Sequence, residues 1–331
     1  MKQFLIGENE AGQRFDKYLG KLMKAAPKSF FYRMLRKKNI TLNRKKADGH
    51  EILQKGDEVQ LFLSEETFEK FHAADPVKRA SFPLDILYED ADVILINKPA
   101  GMLSQPSADH TPSLVEYLTG YLLDKGALTE TELQTFHPSV CNRLDRNTSG
   151  IVAAGKSLAG LQQLSAVFHD RTVHKDYLCL VWGVMVQKKN IKGYLQKDTK
   201  YNKVTVSPFP GDAALPIETS YTPGGTNGEV TLLQVRLITG RSHQIRAHLA
   251  SIGHPILGDT KYQMTERATN RKLFCRHQLL HAYRLEFPEL SGRLAHLSGK
   301  VFLAEPPEEF RKAAEAEGLH KYLTERGELT V

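Results

Sequence analysis

Hydrophobic residues in the first part of the chain recur at helical spacing and then at strand spacing. Within residues 14–23 and 27–39 the apolar side chains return every three or four positions, which predicts two short amphipathic helices. Pro27 suits the first turn of the second helix, because a proline there gives up no intrahelical hydrogen bond. Two short strands are predicted after these helices, at residues 40–43 and 55–63.

From residue 84 onward, strand and helix patterns alternate along the chain. The strands outnumber the helices, their spacing is unequal, and none leads into a glycine-rich nucleotide-binding fingerprint. These features predict an α+β fold in which helices flank a mixed, largely antiparallel sheet. The predicted strands are 92–99, 150–157, 173–183, 230–240 and 277–287, and the predicted helices are 113–123, 158–170 and 241–253.

The polar segment SEETFEKFHAADPVKRASFP separates the two patterned regions. It carries charges of both signs, two prolines and no clear hydrophobic period, so we place a linker there. The predicted organisation is a small first domain, the linker, a large domain, and a charged, helical C-terminal extension to which we assign no function. Their predicted bounds are 12–63, 64–83, 84–305 and 306–331.

The overall composition is that of an ordinary globular protein. Of the 331 residues, 41% are hydrophobic and 25% are charged. No apolar stretch reaches membrane-spanning length, and the N-terminus lacks the apolar core of a secretory signal. The three cysteines are widely spaced and match neither a disulfide framework nor a zinc pattern. We therefore expect a cytoplasmic protein with no membrane partner.

Positive charge is concentrated at the start of the chain. Residues 1–63 contain 14 lysines and arginines against 7 acidic residues, whereas the remainder contains 31 of each sign. The whole net charge of +7 therefore lies in the first fifth of the chain. A concentrated positive field is typical of proteins that bind polyanions, which favours a nucleic acid partner over the alternative of a merely solvated basic face.

The stretch NRLDRNTSG, residues 142–150, places Asp145 between Arg143 and Arg146 just before a predicted strand. An opposite charge within a few ångströms keeps a carboxylate ionised. Such a carboxylate suits attack on, or stabilisation of, an electron-poor carbon. The alternative is a structural ion pair that fixes the turn, and these residues alone leave both interpretations open.

A second cluster of polar residues, TGRSHQIRAH, occupies residues 239–248. His243 and His248 are five positions apart, which does not bring two imidazoles to one helix face, and no acidic or cysteine ligand lies nearby. We therefore predict no metal site. A positively charged helix start favours contact with a carboxylate or a phosphate, and Arg246 is the natural partner for Asp145.

Four segments, in this order along the chain, resemble motifs of the RluA family of pseudouridine synthases: NKPAGMLSQPS, RLDRNTSG, KDYLCLVWG and TGRSHQIRAHLASIGHPILGD. The resemblance covers roughly residues 84–290, and the layout is similar to members that act on large-subunit ribosomal RNA. It implies an RNA pseudouridine synthase, an isomerase that rearranges one nucleotide without redox or phosphate-transfer chemistry. No cofactor is therefore expected, and a monomer is expected.

The same resemblance implies roles for four residues. Asp145 matches the catalytic aspartate, which acts either as a nucleophile or as a base. Arg143 matches the arginine that enters the RNA helix where the target base leaves, and Tyr177 matches the tyrosine that stacks on the target uracil. Arg246 matches the arginine that pairs with the aspartate.

The first domain resembles the RNA-binding module of ribosomal protein S-four. The resemblance rests on KSFFYRMLRKKNITLN and LQKGDEV. In that family the basic second helix and the turn after it face the RNA backbone, and such contacts position RNA without reading its sequence. The residues that this implies are Lys28, Arg33, Arg36, Lys37, Lys38, Arg44 and Lys45.

Three other functions compete with this interpretation. A glycoside hydrolase normally needs two carboxylates across the scissile bond, and only Asp145 lies in a catalytic-looking setting. A binding-only RNA protein would not need the four matched residues together. A synthase that acts on transfer RNA would carry the same motifs, so the sequence leaves the identity of the RNA open.

Overall fold

The computed structural model describes residues 1–72, 78–108, 110–198, 203–262 and 275–324. The last part of the predicted C-terminal extension, residues 325–331, lies outside these ranges. Every helix within them is too short or too polar to span a membrane.

The N-terminal part of the chain folds as two helices on a small antiparallel sheet. The apolar face of each helix is buried, because Phe15 and Leu19 on one and Phe31 and Leu35 on the other enter a common core. The helices are α1 (Phe15–Leu22) and α2 (Lys28–Arg36), and the strands are β1 (Lys2–Leu5), β2 (Ile40–Leu42), β3 (Lys45–Lys46) and β4 (Glu58–Leu61), in the order β1-β4-β2-β3.

This unit extends on both sides of the predicted range 12–63. Strand β1 precedes residue 12 and pairs with β4, and a third helix, α3 (Glu65–Phe71), lies in the predicted linker. The hydroxyl of Ser64 caps α3, and Phe68 is buried in the core of the unit. Both elements are too short for the hydrophobic period to identify them from the sequence.

Most of the remaining residues surround one large sheet. Its strands are β5 (Ile86–Glu89), β6 (Val93–Lys98), β7 (Ser139–Val140), β8 (Ser149–Gly155), β9 (His174–Trp182), β10 (Lys189–Asp198), β11 (Lys203–Ser207), β12 (Leu215–Thr226), β13 (Val230–Leu237), β14 (Leu280–Glu286) and β15 (Val301–Leu303). The helices are α4 (Leu114–Asp124), α5 (Leu158–His169), α6 (Gln244–Ser251) and α7 (Glu308–Ala316), with 3₁₀ turns at Glu132–Gln134, Gly292–Leu297 and His320–Tyr322.

The large sheet is mixed and largely antiparallel, which confirms the predicted fold class. Its strand order is β11-β10-β12-β13-β9-β14-β8-β6-β5, with β15 paired to β14 and β7 paired to β8. Among the described strand pairs, only β8 with β14 is parallel. The antiparallel neighbours of this pair are β6 on one side and β9 on the other, so the centre of the sheet joins segments far apart in sequence.

The central strands are buried on both faces. Ile94 and Ile96 of β6 pack toward α4, whereas Val93 and Leu95 pack toward α5. The sequence of a strand covered on both faces is a continuous run of apolar residues rather than an alternation of apolar and polar residues. The layers on the two faces hold the ends of these strands in place, and the candidate site lies at such an end.

Candidate active site

Asp145 lies in the turn between β7 and β8. Three hydrogen bonds stabilise this turn. The Thr148 N–H donates to the Asp145 carbonyl at 3.0 Å, and the Ser104 hydroxyl accepts from the Leu144 N–H at 3.1 Å and donates to the Leu144 carbonyl at 2.9 Å. Gly150, the second residue of the buried strand β8, has a φ of 115°. A Cβ there would overlap the Ala282 carbonyl of β14, so the motif requires glycine at this position.

The side chain of a buried lysine also stabilises this turn. Lys98 is fully buried, and its Nζ donates to the carbonyls of Pro99, Met102 and Arg146 at 2.9, 2.9 and 3.2 Å. Burial lowers the pKa of Lys98 to about 7, while the nearby Asp145 carboxylate acts in the opposite direction. The segment NKPAGMLS therefore supports the turn that carries Asp145.

The guanidinium that contacts Asp145 comes from α6, not from a sequence neighbour. Arg246 Nη1 donates to Asp145 Oδ2 at 2.9 Å. Arg146 instead donates from Nε to the Gly101 carbonyl, and Arg143 is exposed. Arg246, the partner expected from the sequence, therefore reaches Asp145 across 101 residues of sequence.

Arg246 also binds a second carboxylate that the sequence reasoning overlooked. Its Nε and Nη2 donate to the two oxygens of Asp259 at 2.7 and 2.9 Å, and the Asp259 side chain is 0% exposed. Burial alone would lower the pKa of Arg246, but the ion pairs with Asp259 and Asp145 raise it above the usual value. Asp259 is the last residue of the motif TGRSHQIRAHLASIGHPILGD, but the sequence alone assigned it no role.

Tyr177 is directed to the same place by strand pairing. It lies on β9 between Val235 of β13 and Ala282 of β14, and it is buried. Burial raises the pKa of the Tyr177 phenol, and the negative charge of Asp145 raises it further. The hydroxyl therefore stays protonated, and the ring forms an apolar wall beside the carboxylate.

A cavity of about 1060 Å³ opens above Asp145, Tyr177 and Arg246. We call it the basic cavity, because Asp145 is the only acidic residue among its described lining residues. A smaller recess of about 60 Å³ shares these three residues and Leu237 with the basic cavity, and adds apolar walls from Ile245 and Leu280. The lysines and arginines that line the basic cavity are Arg143, Arg146, Arg171, Lys175, Lys197, Arg241, Arg246, Lys261 and Arg276.

His243 is a further neighbour of Asp145. Its Nε2 lies 3.9 Å from Asp145 Oδ2, and its Nδ1 lies 2.8 Å from the Tyr262 hydroxyl. His248 is elsewhere, buried with its Nδ1 3.0 Å from the Thr219 hydroxyl. Within the described ranges, no group of three or more histidine, cysteine or acidic side chains could hold a metal ion.

The seven basic residues predicted to bind RNA lie on one small unit and are all exposed. Those of the helix occupy α2 and the residues just after it. Arg44 lies at the tip of the β2–β3 hairpin, where it and Asn43 both have positive φ, 61° and 51°. A two-residue hairpin of this kind normally prefers glycine at the second position, so the arginine is held there at a conformational cost.

Comparison with known proteins places this site in a family. Residues 92–251 match the family model described as RNA pseudouridylate synthase. An uncharacterised RNA pseudouridine synthase of Mycoplasma genitalium is 31% identical over 296 residues, which cover 87% of this chain and 90% of that protein. The chain belongs to the RNA pseudouridylate synthase family. It is therefore an isomerase, which confirms the activity and the family predicted from the four motifs.

Other members of the family are similar along most of the chain. Ribosomal large subunit pseudouridine synthase C of Escherichia coli (strain K12) is 31% identical over 303 residues, 87% of this chain and 88% of that protein. The solved structure of human RNA pseudouridylate synthase domain containing 4 superposes with a TM-score of 0.52 at 23% identity, covering 70% of this chain and 91% of that one. This last likeness shows that the fold is shared.

Proposed function

We propose that this pseudouridine synthase converts uridines of large-subunit ribosomal RNA into pseudouridine, with Asp145 as the catalytic carboxylate. The observation that carries the proposal is the composition of the basic cavity. One carboxylate lies among nine lysines and arginines. Such a surface attracts a polyanion and leaves one acidic group to act on it. The name of the Escherichia coli relative, a ribosomal large subunit synthase, supports this choice of RNA.

The reaction needs one free carboxylate oxygen beside the sugar. Arg246 binds Oδ2 of Asp145, and no described residue donates a hydrogen bond to Oδ1. We assign the chemistry to Oδ1. As nucleophile it attacks C1′ while the bond from C1′ to uracil N1 breaks, and as base it removes the C2′ proton during the same cleavage.

In either route the uracil turns and rejoins the sugar without leaving the site. In the nucleophile route the bond between Oδ1 and C1′ breaks as C5 bonds to C1′, and in the base route the proton on Oδ1 returns to C2′ as C5 bonds to C1′. C5 then loses its proton, and N1 gains one. Product and substrate have the same atoms, so the proposed reaction needs no cofactor. The recess bounded by Tyr177, Leu237 and Leu280 offers apolar walls to the turning base.

Three residues around the carboxylate have supporting roles in this proposal. Arg246 binds and orients Asp145, and Tyr177 stacks on the flipped uracil, an interaction that serves any base with an aromatic face. Arg143 is exposed at the entrance of the basic cavity, where a guanidinium can fill the space that the base leaves in the RNA.

RNA affinity comes mainly from the N-terminal unit in this proposal. The exposed side chains of α2 and of the β2–β3 hairpin contact phosphates, and the strained position of Arg44 supports a functional reason for keeping an arginine there. We retain the division into an RNA-binding domain and a catalytic domain, 84–305, but widen the first from 12–63 to 2–71, because β1 and α3 belong to its sheet and core. One chain supplies all the proposed catalytic groups, so a monomer suffices, and the proposed ribosomal RNA substrate supports a cytoplasmic location.

Release of tritium from RNA labelled at uracil C5 tests the proposal, because the C5 proton is lost only on isomerisation. The protein should release tritium from large-subunit ribosomal RNA, and Asp145→Asn should abolish release while RNA affinity stays near that of the unchanged protein. Asn147→Asp, a carboxylate variant two residues along the chain, is the matched control and should remain active. Near-normal release by Asp145→Asn would refute the assignment. Release of tritium from transfer RNA but not from ribosomal RNA would refute the proposal that ribosomal RNA is the substrate.

A further inference from the structure

His243 has a backbone conformation that residues with a Cβ rarely adopt. Its φ and ψ are 53° and 17°, in the left-handed region, and it immediately precedes α6. The helix start around it is fixed by Gln244, whose side chain accepts from the Arg241 N–H at 3.1 Å and donates to the Glu218 carbonyl at 3.0 Å. Strain of this kind persists where the surroundings impose it and is common at functional sites.

The partners of Tyr262 determine which nitrogen of His243 carries the proton. The Val204 N–H donates to the Tyr262 oxygen at 3.0 Å, and the hydroxyl lies 2.8 Å from His243 Nδ1. No other acceptor for this hydroxyl occurs among the described residues, so the hydroxyl donates to Nδ1. The ring proton of neutral His243 is therefore on Nε2.

The Nε2–H bond faces the candidate catalytic carboxylate across a gap. Nε2 is 3.9 Å from Asp145 Oδ2, too far for a direct hydrogen bond. An oxygen about 2.8 Å from each atom spans such a gap, accepting from one side and donating to the other. Burial lowers the pKa of the imidazole, while the carboxylate acts in the opposite direction. His243 is thus a neutral donor beside Asp145.

We propose that His243 donates from Nε2 to the 2′-hydroxyl of the target nucleotide, and so selects ribose over deoxyribose. This rests on the proposed function, which puts the Asp145 carboxylate beside C1′ and C2′ of the sugar. The 2′-hydroxyl is one bond from C2′, so a group flanking Asp145 lies within its reach. That hydroxyl accepts from His243 and donates to Oδ2, and it is the group by which a protein distinguishes RNA from DNA at one position.

A thermodynamic cycle between protein and RNA tests this contact. Unlabelled RNAs that carry uridine or 2′-deoxyuridine at the target position compete against tritium release from the labelled RNA. With the unchanged protein, the deoxy competitor should bind at least roughly tenfold more weakly, because it loses both the hydrogen bond from His243 and the one to Oδ2 of Asp145. With His243→Asn, which tolerates the left-handed backbone, this difference should shrink by roughly three- to tenfold, the share of one uncharged hydrogen bond, because the contact with Oδ2 remains. The half-buried His254 serves as control, and His254→Asn should keep the full difference.

Each outcome bears on a different claim. If the unchanged protein releases no tritium from any uridine RNA, the proposed function fails before the cycle begins. If it does, equal binding of the two competitors overturns the His243 contact, and so does an undiminished difference with His243→Asn. Should that variant not fold, Tyr262→Phe replaces it, because it keeps the ring and removes the hydroxyl that fixes the proton on Nε2. The difference should then shrink, and full discrimination by this variant overturns the proposal.

Discussion

Arg246 connects the candidate catalytic carboxylate to a second carboxylate that is completely buried, and the two contacts can be separated experimentally. Arg246→Met keeps an unbranched, flexible stem, although a shorter one, and removes every donor. Asp145 then loses its hydrogen bond of 2.9 Å but still reaches solvent, because its side chain is 26% exposed. Asp259 loses two hydrogen bonds in a fully buried setting and keeps only backbone donors, such as the Lys261 N–H at 3.0 Å.

Because Asp259 is buried and Asp145 is partly exposed, Arg246→Met should affect stability mainly through Asp259 and turnover mainly through Asp145. A buried charge left without its partner destabilises a protein by about 3–5 kcal/mol. Thermal unfolding of Arg246→Met should therefore shift down by roughly 6–20 °C. Loss of one charge-assisted hydrogen bond at Asp145, about 1.5–3 kcal/mol, should lower kcat by roughly 10- to 150-fold if that bond orients the carboxylate in the transition state.

A double variant distinguishes the two effects. Arg246→Met with Asp259→Asn removes the stranded charge, and an uncharged replacement of a buried ion pair is often nearly neutral. Calorimetry should show much of the lost stability restored, whereas tritium release should stay as low as in the single variant. A single variant that melts like the unchanged protein, or a double variant that recovers turnover, would refute the reasoning.

Three further predictions address other parts of the molecule. Replacing Arg33, Arg36 and Arg44 together by glutamine should flatten the dependence of log affinity on log salt by about 2 to 3, since each phosphate contact contributes roughly 0.7–0.9, and an unchanged slope in filter binding would remove this surface from the RNA interface. Burial lowers the pKa of Lys98 from 10.5 to about 7, so between these pH values the folded protein binds fewer protons than the unfolded chain. Urea titrations should therefore show the stability of the unchanged protein rising with pH relative to Lys98→Met across this window, and the opposite trend would contradict the shift. Asp176 is fully buried and bridges arginines on β13 and β14. Asp176→Asn should lower the free energy of unfolding by about 1–3 kcal/mol, and a melting temperature equal to that of the unchanged protein would argue against a stabilising bridge.

The fold was predictable where burial is strong and regular. The apolar runs of β6 and β8 are strands covered on both faces, and α5 shows its inward face in Leu164 and Phe168. The segment that became β10, β11 and β12 was missed because it is polar. In β10 the ends such as Lys189 and Asn190 are exposed and one of the three inward positions is Gly193, and β11 offers only two inward valines, so the hydrophobic alternation is short and weak. Backbone pairing to neighbours forms these strands, and pairing leaves little trace in a single sequence.

The candidate site was likewise predictable only in part. A motif can indicate that Asp145, Tyr177 and Arg246 serve one chemistry, because each residue type suits that chemistry. It cannot show which oxygen of Asp145 is occupied, since that depends on how α6 meets the β7–β8 turn. Asp259 and His243 were given no role because each depends on contacts that form only in the fold: Asp259 orients Arg246, and His243 faces Asp145 only because Tyr262 and a left-handed backbone direct it there. Such contacts exist only in the folded chain, so the positions of Arg246 and Asp145 must be known before the roles of Asp259 and His243 can be recognised.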